Sequence, residues 1–259
     1  MTRIDEAFEK KPIFMPYYPI GYPDLETSIG VIEALAKNGA SLIESGLSFS
    51  DPLADGPVIQ KAMQVALEKG ITVQKSLQAV AELRRRGVTI PLVLMGYYNL
   101  MLAYGLENFT RAAHAAEADG YIIPDLPLEE AGEFERALTG FEQPLIRMVA
   151  PTTPPERLAS IGRKAQGFIY LVSVTGVTGA RQSMAAGLAG LVARVRQHTP
   201  LPVCVGFGIS TPAQARSVAE IADGVIVGSA CVKMIGESED PVETAKRFAA
   251  EYRSALSQE

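Results

Sequence analysis

Residues 202–229 read PVCVGFGISTPAQARSVAEIADGVIVGS. Two short apolar runs, 202–206 and 224–227, flank a helical stretch, 212–220, that opens on proline, a residue suited to a first helical turn. Neither run alternates polar with apolar residues. Short runs that are apolar throughout fit strands buried on both faces, the pattern of a parallel sheet covered by helices. Two such strands joined by a helix form one crossover unit.

The same unit repeats back along the chain. Apolar runs occur at 13–18, 41–44, 91–97, 121–124, 144–149 and 168–173. Helical patterns lie at 23–37, 58–69, 73–86, 107–118, 128–138, 155–163, 183–197 and 241–256. About eight strand–helix units in 259 residues, with no composition break, predict an α/β protein folded as a single (β/α)8 TIM barrel domain over 1–259. An open doubly wound sheet is the alternative. No Gly-x-Gly-x-x-Gly follows the first strand, which weakens a dinucleotide-binding version of it. Ala118-Asp119-Gly120 precedes the fourth strand and Ala222-Asp223-Gly224 the eighth. These are equivalent places in two half-barrels, open to an internal duplication or to simple glycine caps.

Composition narrows the function classes. Hydrophobic residues make up 47% and charged residues 20%, a composition that supports a large core and argues against disorder. The net charge of -5, without a long basic run, disfavours nucleic acid as a partner. The opening MTRIDEAFEKKP lacks the apolar stretch of a secretory signal, and no run reaches the roughly 18 apolar residues of a membrane span. A cytoplasmic protein is expected, with no membrane partner. Cys204 and Cys231 sit in apolar segments without metal-ligand spacing and read as core thiols.

Reactive groups in a barrel lie at the C-terminal ends of its strands. The second run ends on Glu44, which shares a strand face with Leu42. A carboxylate at the top of a barrel core is costly to ionise, so its pKa should rise, and position favours catalysis over a structural pair. The next segment, FSDPLADGP at 49–57, is stiffened by two prolines and carries two acids. Asp51 precedes Pro52 and fits a turn, while Asp55 reads equally as loop scaffold or catalyst. Strand seven runs into Gly206-Phe207-Gly208-Ile209-Ser210 and strand eight into Gly228-Ser229. Loops at these places often hold phosphate through backbone amides and a helix N-terminus, so a phosphorylated ligand is expected. The loop TGVTGAR at 175–181 has glycines that suit a lid, with an inert surface loop as the alternative. None of the nine lysines ends a strand core, which weakens a Schiff base. The only two histidines, His114 and His198, fall on or near helices far apart in the chain, which weakens a metal site. Carboxylate acid–base catalysis remains.

With these segments placed, the chain resembles the tryptophan synthase α chains. The resemblance rests on Glu44 with FSDPLADGP, MGYYN at 95–99, PDLP at 124–127, GVTGA at 176–180, GFGIS at 206–210 and Gly228-Ser229, in order over almost the whole chain. It implies retro-aldol cleavage of indole-3-glycerol phosphate to indole and glyceraldehyde 3-phosphate. Glu44 would be the general acid/base at the glycerol hydroxyl and at indole C3. Asp55 would stabilise or accept the indole N–H proton. The phosphate would sit on Gly179, Gly208, Gly228 and Ser229. The indole pocket would include Tyr17, Met95, Tyr97, Ile122, Met148, Tyr170, Phe207 and Ile226. Thr178 would close a lid over the site and contact Asp55. The implied partner is a PLP-dependent β subunit in an α2β2 complex, facing Asp51, Asn99 and Pro127. No metal and no cofactor are implied in this chain.

Beside the catalytic acid the chain departs from the family pattern. Ser45 stands where an aliphatic residue is usual, Ser48 where proline is, and Pro19 where Thr or Ala is commoner. Ser48 is expected to loosen the loop carrying Asp55, and Ser45 to weaken packing behind Glu44. The alternative function is a catalytically weak α-like subunit, mainly an allosteric partner of a β chain. Retention of both Glu44 and Asp55 favours the enzyme.

Overall fold

The computed structural model describes residues 1–173, 181–206 and 208–257, with the side chains of 181–186 outside the description. Eight parallel strands close into a barrel in sequence order. They are β1 Ile13–Pro19, β2 Ile43–Gly46, β3 Leu92–Met95, β4 Gly120–Ile122, β5 Leu145–Val149, β6 Ile169–Val172, β7 Val203–Gly206 and β8 Gly224–Val227. First and last strands pair directly, Ile13 level with Gly224 and Met15 with Ile226, so the open-sheet alternative falls. Every strand residue is buried except Met148 and Val172, which explains the unbroken apolar runs.

Around the barrel lie α1 Arg3–Ala7, α2 Leu25–Asn38, α3 Pro57–Glu68, α4 Val73–Arg85, α5 Tyr98–Tyr104, α6 Leu106–Ala115, α7 Gly132–Ala137, α8 Pro155–Lys164, α9 Arg181–Arg196, α10 Pro212–Ala219, α11 Ser229–Gly236 and α12 Pro241–Ser257. Local chemistry sets many of their starts. Asp24 and Thr72 accept from backbone amides at the heads of α2 and α4, and Thr211 with Gln214 forms a reciprocal cap on α10.

Several boundaries differ from the sequence expectation. The second strand is Ile43–Gly46 rather than 41–44, so Glu44 sits within it and not at its end. Gly46 extends the ladder because it is level with Met95 and its carbonyl accepts from the Ile20 N–H at 2.9 Å. The expected helix at 128–138 shrinks to α7, and α1, α5 and α11 were not foreseen. These last three are eight residues or shorter, too short for a clear apolar period.

The repeated Ala-Asp-Gly has a structural role at the barrel floor. The Asp119 N–H donates to the Leu92 carbonyl at 2.9 Å, and its carboxylate accepts from the Leu92 N–H at 2.7 Å. Asp223 makes the same pair of bonds with Val203, both at 2.9 Å. Each aspartate closes the start of the preceding strand and is held by cations, Arg3 and Arg84 for Asp119, Lys11 and Arg196 for Asp223. Cys204 and Cys231 are fully buried, and burial pushes both thiols above their usual range.

Candidate active site

Strand register decides which side chains meet. Residues level on neighbouring strands share a face, as do alternate residues along a strand. Glu44 is level with Tyr17. Gly46, two residues on, is level with Met95, Met95 with Ile122, and Ile122 with Ile146. Met148 is level with Tyr170, Tyr170 with Cys204, Cys204 with Gly224, and Gly224 with Ile13. The circuit closes on one face, with Ile226 level with Met15. The opposite face meets the helices: Phe14 stacks on Tyr252 of α12, and Tyr121 packs edge-on against Phe134 of α7. Glu44, Tyr17, Met95, Ile122, Met148, Tyr170 and Ile226 therefore all face the barrel interior.

Asp55 reaches this interior through Tyr97. The Tyr97 hydroxyl donates to Asp55 Oδ2 at 2.7 Å and accepts from the Ala54 N–H at 2.9 Å. Its ring stacks on Phe49 at 5.3 Å between centroids. Gln60, in the first turn of α3, donates to the Asp55 carbonyl at 2.8 Å. Both ends of the Asp55 loop are thereby fastened, one to the end of β3 and one to α3. From sequence, Tyr97 read only as part of an indole lining. Its hydrogen bond was invisible because the partner lies 42 residues away. The one available signal was its place two residues beyond Met95, on the same face.

Electrostatics divides the two acids. Glu44 is 3% exposed, and burial, reinforced by the charge of Asp55, raises its pKa from 4.5 to about 8. Asp55 is also raised by burial, but the Tyr97 hydroxyl works against that. Glu44 thus keeps its proton at neutral pH, while Asp55 has a donor ready for its charged form. Asp51, by contrast, is exposed, and its carboxylate accepts from the neighbouring Ser50 hydroxyl.

Gly228 precedes Ser229, the first residue of α11, directly after β8, so the unpaired amides of that helix start lie at the C-terminal end of the barrel. Gly208 has φ +78, a left-handed value that favours glycine. Thr178, Gly179 and Phe207 lie outside the described residues. Asp51 and Asn99 are exposed and Pro127 is half-buried, each on a segment following one of three successive strands. Leu53 at 91% exposure and Leu102 at 45% accompany them, and sequence reading had not singled out either. Among the described residues, no group of three or more His, Cys, Asp or Glu is arranged to hold a metal ion. Ser45 is fully buried on the helix-facing side, and its hydroxyl has no partner among the described residues. Ser48 is buried with its hydroxyl 3.5 Å from the Ile20 carbonyl, and Pro19 ends β1 level with Gly46.

A closed parallel barrel with a buried carboxylate on its interior face and a second one hydrogen-bonded at a strand end defines a class, the (β/α)8 barrel proteins. Comparison with known proteins narrows it. Residues 5–258 match the family model described as tryptophan synthase alpha chain. The tryptophan synthase alpha chain of Chloroflexus aurantiacus is 50% identical over 99% of both chains, and that of Roseiflexus castenholzii is 48% identical over 97% of this chain and 98% of its own. The crystal structure of tryptophan synthase subunit alpha from Legionella pneumophila superposes with a TM-score of 0.91 at 37% identity, covering 99% of this chain and 98% of that one. The chain belongs to the tryptophan synthase alpha chain family. It is a carbon–carbon lyase that cleaves indole-3-glycerol phosphate in tryptophan biosynthesis.

Proposed function

We propose that Glu44 and Asp55 carry out this cleavage between them. The observation that carries the reading is a Glu44 buried on the interior face, its pKa raised by that burial and by the nearby Asp55, which Tyr97 anchors. Glu44 delivers its proton to indole C3, and the indole N–H proton passes to Asp55, leaving an indolenine with a C=N bond. The Glu44 carboxylate then takes the proton of the glycerol hydroxyl nearest the ring. The O–H electron pair becomes the aldehyde C=O. The bond from C3 to the glycerol carbon breaks, and its pair restores the C2–C3 double bond. The C=N pair returns to nitrogen, which recovers its proton from Asp55. Atoms and charges balance within the two carboxylates, whose separated pKa values suit the two roles.

The indole ring sits among Tyr17, Met95, Ile122, Met148, Tyr170 and Ile226, with Tyr97 completing the described part of the pocket. The phosphate rests on the amides of Gly208, Gly228 and Ser229. The whole chain, 1–259, works as one cytoplasmic barrel domain without a cofactor of its own. Its partner is a PLP-carrying β subunit in an α2β2 complex, docked on Asp51, Asn99 and Pro127 with the exposed Leu53 and Leu102. The test is indole release from indole-3-glycerol phosphate by the purified chain, with and without a β subunit. Release under neither condition overturns the assignment of roles. Release only with the β subunit supports the allosteric alternative.

A further inference from the structure

Tyr17 does more than line a pocket. It stands on β1 level with Glu44, so both side chains enter the same sector of the barrel. Its ring tip lies across Gly46: a Cβ on that glycine would come 2.3 Å from the Tyr17 hydroxyl oxygen. Tyr17 is 2% exposed, and its hydroxyl has no hydrogen-bond partner among the described residues. A phenol so placed is held at a cost unless something comes to meet it.

We propose that the Tyr17 hydroxyl donates a hydrogen bond to the glycerol oxygen that leaves as the aldehyde carbonyl, making Tyr17 a further catalytic residue. The proposal rests on the assignment of Glu44 and Asp55 above. The argument is one of complementary groups. The indole nitrogen carries a donor and belongs to Asp55, and the phosphate belongs to the strand-seven and strand-eight loops. The acceptor that must come beside Glu44 is the oxygen whose proton Glu44 removes, and Tyr17 is level with Glu44. As that proton leaves for Glu44, the oxygen gains negative charge, so a fixed donor favours the transition state over the bound substrate. The phenol keeps its own proton throughout. Burial and the charges of Asp55 and Glu44 hold the Tyr17 phenol well above the ordinary tyrosine range, so it donates without ionising.

The test is Tyr17→Phe, which removes one oxygen and keeps the ring over Gly46. Wild type is assayed first for indole release with and without a β subunit; release under neither condition overturns the assignment of Glu44 and Asp55 and the Tyr17 proposal with it. With active wild type, the variant should lose kcat/KM for indole-3-glycerol phosphate by about 10- to 100-fold, the range of a hydrogen bond to a developing charge. Its affinity for indole, which lacks the glycerol chain, should be unchanged, and its thermal midpoint should rise slightly, because a buried hydroxyl without a partner among the described residues is removed. A loss below about fivefold overturns the proposal. So does a larger loss accompanied by an equal loss of indole affinity or by a lowered midpoint, which would assign Tyr17 to packing.

Discussion

Replacing Glu44 with Gln preserves shape and removes a titration, so its effect on stability depends on pH in a defined sense. The folded carboxyl titrates near 8, against 4.5 in its ordinary state. The folded chain therefore retains a proton that the unfolded chain has released over that interval. The group's contribution to stability is full below about pH 4.5 and is lost as pH rises through about 8. At about 1.4 kcal/mol per pKa unit the interval corresponds to about 5 kcal/mol, a ceiling that falls if water reaches the ionised carboxylate. Urea midpoints of wild type and Glu44→Gln, compared from about pH 5 to about pH 9, should diverge by several kcal/mol in favour of Gln at the alkaline end. The same variant should lose at least about a hundredfold in turnover, since acid–base groups contribute about 10²–10⁴-fold. Wild-type kcat/KM should decline above about pH 8 as the acid form disappears. Stability curves that stay parallel across the range would refute the claim that Glu44 is buried and protonated.

Four further outcomes are expected. Asp55→Asn should lose most activity in the isolated chain and Asp51→Asn little, because Asp55 is tied to Tyr97 while Asp51 is exposed; equal losses in steady-state assays would undo the distinction. Gly228→Asp should raise KM with little change in melting temperature, since among the described residues a Cβ there approaches nothing closer than 3.7 Å while the added charge opposes phosphate; an unchanged KM would move the phosphate elsewhere. Ser45→Ala should stabilise the chain by about 1 kcal/mol in urea titrations by removing a buried hydroxyl without a partner among the described residues, and a lower midpoint would contradict that. Ser48→Pro should raise basal turnover and shrink the activation given by a β subunit, with a stabilisation of about 0.4–1 kcal/mol if the native φ suits proline; unchanged turnover and activation in all four combinations would dismiss loop order at this position as the control.

Several features were determined by sequence alone because their physics is local. A strand covered on both faces must be apolar throughout, so the eight runs and their helices were legible, and with them the barrel. The acids, the paired glycine-rich strand ends and the family motifs could likewise be read in order along the chain. The tertiary structure decided what depends on neighbours distant in sequence. Ser45 and Gly46 do not read as strand, yet both pair with β3, and Gly46 is small where the Tyr17 ring from β1 occupies its side-chain space. Asp51 and Asp55 are alike as letters four residues apart. They separate once Tyr97, brought in from the next strand end, places its hydroxyl on Asp55 and leaves Asp51 at the surface. The protonation of Glu44 likewise follows from how completely the closed barrel removes its carboxyl from water.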